Sequence, residues 1–147
     1  MTLTSQILAS IMQRLTEIHG RELAIEYFPE QPATYRLNHP TGAVLISYSR
    51  SNFMDNDAVS TTFMERDITI PLTLVFRKLH GEFGVITYLD KIRETLTGYK
   101  PPHCELSLKP ISESFLAQNM GIWQYSLDFS TRTSQIQHYD YVLSEHL

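Results

Sequence analysis

Ile68, Ile70, Leu72, Leu74 and Phe76 occupy every second position of one stretch, with Thr69 and Thr73 between them and Arg77 directly after. An α-helix would scatter these side chains around its circumference, whereas a β-strand sets them all on one face, so the stretch is a strand with one side buried. We read it over residues 63–77. Pro71 lies inside it and has no N–H for a ladder, which requires an edge position or a bulge. A second alternating run, Trp123, Tyr125, Leu127, Phe129 and Thr131, makes another long strand whose apolar face is core.

Strands of this length need cover on their apolar face, and two helical stripes supply it. Ile7, Leu8, Ile11, Met12, Leu15 and Ile18 recur at spacings of one, three and four, with Thr4 placed as the cap and Gly20 as the stop. Glu17 and Arg21 are spaced to pair at the end of that helix. Ile86, Leu89, Ile92 and Leu96 form the second stripe, preceded by Gly81 and Gly84 and ended by Gly98, with Pro101 and Pro102 blocking continuation.

Shorter alternations mark further strands, at Leu23, Ile25 and Tyr27 and at Cys104, Leu106 and Leu108 up to Pro110. Residues 35–38 and 43–49 flank His39, Pro40, Thr41 and Gly42, the pattern of a hairpin whose second arm is apolar enough to be central. Two stretches stand apart. Residues 49–62 are polar without apolar periodicity, which predicts a long loop or a mobile extension. Residues 134–147 keep Ile136, Tyr139, Tyr141, Val142 and Leu143, too apolar for an ordinary tail, which predicts an extension that crosses to another subunit or lies along a sheet edge.

This order of elements defines an α+β fold, one mostly antiparallel or mixed sheet with two helices on one face. With 147 residues the chain is expected to form a single domain over 1–147 and to need neither disulfide nor metal to fold. Sixteen acidic residues against twelve basic ones leave a net charge of −4, the wrong sign for a general nucleic-acid binder. The sequence has no apolar run near the ~20 residues of a membrane span and no signal-peptide pattern at its start, so a cytoplasmic location is expected. Charged residues make up only 19% while aromatics reach 11%, a balance that favours self-association because aromatic side chains dominate interfaces.

The chemistry-bearing residues do not assemble into a reaction centre. The six histidines, at 19, 39, 80, 103, 138 and 146, lack metal-ligand spacing, and His103 and Cys104 would point to opposite faces of a strand. Cys104 is the single cysteine and reads as a half-buried structural thiol with no base assigned to it. The carboxylate pairs Glu65 with Asp67 and Asp55 with Asp57 read as solvated charges. Glycines 81, 84 and 98 match neither the dinucleotide nor the phosphate-loop fingerprint. Tyr48, Arg50 and Phe53, with Arg77 and Lys78, interleave rings and cations as a single-strand binder does, against the negative net charge. No catalytic, cofactor or metal residue is assigned, and the expectation is a protein without enzymatic activity.

The second half carries a recognisable order of motifs. Arg77-Lys78-Leu79-His80-Gly81 leads into a helix bearing Leu89, Ile92 and Arg93, followed by Leu96-Thr97-Gly98-Tyr99-Lys100-Pro101-Pro102. Leu108-Lys109-Pro110 and Ser114-Phe115 come next, then Trp123-Gln124-Tyr125-Ser126-Leu127-Asp128-Phe129. This order resembles the minor tail proteins of Mu-like phages and, by element order, is similar to the tail terminators of other long-tailed phages, including the lambda U protein. The resemblance covers residues 72–131. It implies a structural protein that oligomerises into a ring, typically a hexamer, caps the tail tube of a phage, prophage or tail-like particle, and contacts neck or sheath proteins. It implies no chemistry and so no cofactor, and, with the charge and hydropathy above, neither a membrane nor a sequence-specific nucleic-acid partner is expected. Candidate subunit-interface residues are Arg77 and Arg93 in the matched segments and Ile136, Tyr139, Tyr141, Val142 and Leu143 beyond them. The rival readings are a module that grips a partner strand at a sheet edge and a small enzyme using Cys104.

Overall fold

The computed structural model describes residues 1–55 and 63–136. The first helix, α1, spans Leu3–His19. Its cap is Thr2, whose hydroxyl accepts from the Ser5 N–H at 3.4 Å. The expected cap, Thr4, lies inside the first turn, where its hydroxyl accepts instead from Arg66. Ile7, Ile11, Leu15 and His19 form the buried stripe at intervals of four, Leu8 and Met12 flank it, and Ile18 is half exposed. Glu17 accepts from Gln13 Nε2 at 3.0 Å, one turn before it, rather than pairing with Arg21.

Strand β1, Ala24–Tyr27, runs parallel to β2, Gly42–Ile46. The expected hairpin between 35–38 and 43–49 is not formed. Both sides of β2 are occupied, by β1 and by the long strand β4, Phe63–Phe76, so residues 35–38 have no edge to join. After a short 3-10 turn at Pro32–Thr34, Tyr35 and Leu37 pack on the sheet face formed by Ala43, Leu45 and Val75. The polar stretch read as a loop also differs: Arg50–Asp55 is a strand, β3, antiparallel to the first half of β4, and residues 56–62 lie outside the described residues.

Helix α2 spans Val85–Leu96, followed by β5, Lys109–Asn119, and β6, Ile122–Ile136. The sheet order is β1-β2-β4-β6-β5, with β3 beside β4; every pairing except β1 with β2 is antiparallel, so the fold is α+β with a mixed six-stranded sheet. One face meets both helices. Val44, Ile46, Ile68, Ile70, Leu72, Leu74, Phe76, Leu127 and Phe129 are buried there against the stripe of α1 and against Val85, Tyr88, Leu89, Ile92 and Leu96 of α2. Ile86, expected in the core, is exposed because Val85 and Tyr88 take the inward positions of the first turn. Gly42 sits so close to Phe76 that a Cβ there would lie 2.8 Å from its ring.

Pro71 occupies an interior strand, and the irregularity is in its neighbour. Ile46 pairs with Leu72 and Arg50 with Thr69, so three residues, 47–49, face two, 70 and 71. Ser47 donates from both its N–H and its hydroxyl to the Pro71 carbonyl, at 3.0 and 3.1 Å. A strand residue turns its nitrogen and carbonyl to the same side, so the missing donor of Pro71 faces this bulge and the β6 ladder loses nothing.

The alternation at Cys104, Leu106 and Leu108 does not form a strand. His103 has φ 65, Cys104 and Leu108 are buried, and Leu106 is exposed. Two buried threonines of β6 fasten this loop, Thr131 donating to the Leu106 carbonyl at 2.6 Å and Thr133 to that of His103 at 2.7 Å.

Candidate assembly surfaces

The buried titratable groups serve the core. His19 meets the Thr95 hydroxyl at 2.6 Å, and burial holds its pKa below the ordinary histidine value. Burial, with the 2.6 Å hydrogen bond Tyr88 donates to Glu22, pushes the Tyr88 phenol up to about 12. Burial likewise raises the Cys104 thiol, the opposite of what a thiolate nucleophile needs. Among the described residues no group of three or more His, Cys, Asp or Glu is placed to hold a metal ion. No helix there is long and apolar enough to cross a membrane.

What the fold leaves open is surface. Strand β5 borders the sheet, and every residue in it except Ala117 is exposed. Its register against β6 slips twice, between Pro110 and Ser112 and between Phe115 and Ala117, so Ile111 and Leu116 are the extra residues of two bulges, 47% and 50% exposed. Phe115 leans back on Trp123 and Tyr125, ring centroids 6.3 and 5.6 Å away. Arg93 ties this edge to α2, its Nη1 donating to Glu113 at 2.7 Å and its Nη2 paired with Asp90. On the opposite border of the sheet, Tyr27 at the end of β1 and the neighbouring Phe28 are both exposed.

On the helix-free face a groove of about 520 Å³ opens where β4 ends and β6 begins. Val75, Ile122 and Gln124 lie along its floor, with Tyr35, Arg36 and Leu37 on one side and the Met120 tip on another. Its charged lining residues are Arg36 and Arg77, and none is acidic. Arg77 fixes the 35–41 segment, donating from Nε to the His39 carbonyl at 2.9 Å and from Nη2 to that of Leu37 at 3.1 Å. The Tyr35 hydroxyl is buried without a hydrogen-bond partner among the described residues. Met120 and Gly121 turn the β5–β6 hairpin with φ 51 and 80, and Met120 is 93% exposed. A non-glycine residue in the left-handed region is uncommon, and here it projects a flexible apolar side chain beside the groove.

Arg66 is the most deeply buried cation of the sheet, 9% exposed. It donates to the hydroxyls of Ser51 (2.8 Å), Thr4 (2.9 Å) and Tyr48 (3.4 Å), between the rings of Tyr48 and Phe53. The Tyr48 and Phe53 side chains flagged in the sequence as a stacking platform thus hold an internal guanidinium. The carboxylates flagged at 65 and 67 both pair with Arg132.

Of the candidate interface residues, Arg77 and Arg93 are therefore engaged within their own chain, one shaping the groove wall and the other pinning the β5 edge. Ile136 ends β6, its backbone opposite Phe63. Tyr139, Tyr141, Val142 and Leu143 lie outside the described residues. The groove was invisible to pattern reading because its walls and floor come from three separated segments.

The Gp37 protein family matches residues 11–147. No match is found among curated proteins. Among solved structures the chain is similar to one from the virion of a native gene transfer agent particle, at 12% identity and a TM-score of 0.58, covering 90% of this chain and 98% of that one. At that identity the likeness is one of fold.

Proposed function

The chain belongs to the Gp37 protein family, and from that premise we propose that it is a structural subunit of a phage-like particle, acting as a tail terminator. In this reading copies close into a ring, a hexamer by the resemblance of residues 72–131, which seats on the tail tube and ends its growth. The tube and the neck or sheath proteins are its partners, and assembly takes place in the cytoplasm.

One observation supports the coarser part of the reading, a subunit of a phage-like particle: the structural match to the gene transfer agent virion chain is almost coextensive, spanning nearly all of both proteins. The terminator role rests on the resemblance of residues 72–131. The surface is consistent with it. Exposed apolar side chains stand on both borders of the same sheet, Tyr27 and Phe28 at one and Ile111 and Leu116 at the other. Patches on opposite borders suit a head-to-tail contact, the kind that makes a ring when its rotation closes. The rival in which β5 grips a partner strand is disfavoured by its two bulges, which interrupt the evenly spaced backbone groups that strand addition requires.

Native mass spectrometry and negative-stain imaging of the purified full chain test the proposal. The expected result is one closed annular species of fixed copy number. A monomer that persists at tens of micromolar would overturn it.

A further inference from the structure

We propose that the groove on the helix-free face is a docking site for residues 137–147 of a second copy of this chain, so that each subunit is clasped by its neighbour. The inference rests on the ring reading and adds to it the receiving site and the occupant.

Charge is the first argument. In a chain with more acidic than basic residues, the groove is lined by Arg36 and Arg77 and by no acid. The 137–147 segment carries Asp140 and Glu145 and neither lysine nor arginine. Opposite charges at such a contact fix register and partner choice. The apolar parts match as well: Val75, Leu37 and Ile122 offer a floor and wall of aliphatic surface, and Tyr139, Tyr141, Val142 and Leu143 offer the side chains to cover it. The buried hydroxyl of Tyr35 beside the groove has no hydrogen-bond partner among the described residues.

Reach decides whose segment it is. Ile136 ends β6 at the far end from the groove, whose floor holds Gln124 of the same strand. The twelve steps from 124 to 136 span about 40 Å at about 3.3 Å each. From Ile136 the chain reaches Leu143 in seven steps, at most about 25 Å fully extended. The apolar residues Tyr139 to Leu143 therefore stop short of their own groove and are free to fill another copy's.

Disulfide trapping tests this on the full chain. In a Cys104→Ser background, Gln124→Cys and Tyr141→Cys are combined, oxidised and run without reductant. The expected product is a ladder of covalent dimers and larger species extending to the ring size, and a cross-linked monomer would overturn the proposal. Because a cysteine at 124 sits on the sheet, charge exchange provides a second route. Arg36→Glu is expected to weaken assembly several-fold, and adding Asp140→Arg is expected to restore it; failure of the second change to rescue the first counts against the pairing. A ring that forms normally yet gives no cross-link overturns the groove assignment and leaves the ring reading standing. A full chain that is monomeric removes the ring reading itself.

Discussion

Strands β4 and β5 flank the same neighbour, β6, and could hardly differ more. β4 pairs with it residue for residue from Phe63 opposite Ile136 to Phe76 opposite Trp123, while β5 slips twice along a shorter ladder. The helices account for the difference. α1 and α2 cover β4, so its inward residues Ile68 to Phe76 must keep strict alternation to stay in the core. The β5 border carries no helix layer of that kind, and its residues are exposed. Irregularity is tolerated where little packs against it, and bulges then blunt an edge that would otherwise recruit stray strands.

Substitutions on the two sides of β6 put this contrast at risk. The largest effect is expected for Phe76→Ala, which empties a fully buried site against Tyr88 and Gly42 and should cost about 4 kcal/mol in urea unfolding. A loss below about 1 kcal/mol would mean that the helix layer closes over the gap and that β4 is less constrained than its alternation implies. Arg93→Ala removes the bridge between α2 and Glu113 of β5; as a partly exposed pair it should cost less than about 1 kcal/mol, and the difference from the parent chain should shrink in high salt. The smallest effect is expected for Leu116→Ser in the second bulge of β5, within about 0.5 kcal/mol of the parent chain. A loss well above that in the dilute protein would show that the edge packs on something and that the contrast with β4 is overdrawn.

The same contrast explains how much could be read in advance. The two long strands and both helices were legible because one buried face imposes one period on each. β5 was not: Ile111 and Leu116 each consume a position without advancing the ladder, and the phase of the pattern shifts twice. β3 escaped notice because its side chains are mostly polar or exposed, although Phe53 stands opposite Arg66 and contributes to its enclosure. The false hairpin arose from a correct reading of a turn-rich segment without knowledge that β1 already occupied the edge. Arg77 stands in the sequence as a charged candidate interface residue, but only the fold reveals that its guanidinium holds two backbone carbonyls and so shapes the groove. Thr4 lies two residues past the true cap, an ordinary boundary shift with a local cause, since Thr2 is an equally good cap.

The sheet order also governs the biosynthesis of the chain. β6 is the last described strand to leave the ribosome, yet it lies between β4 and β5 rather than at a border. Until residues 122–136 emerge, β4 lacks its longest partner, β5 has none, and the helices have no Leu127 or Phe129 to close upon. A nascent chain halted before that point displays unpaired strand borders and an unfinished core, the state in which partly made proteins cohere wrongly. The groove on the helix-free face, lined in part by Ile122 and Gln124, likewise exists only after β6 is inserted. Translation to the end of β6 is thus the point at which the sheet and its core can close.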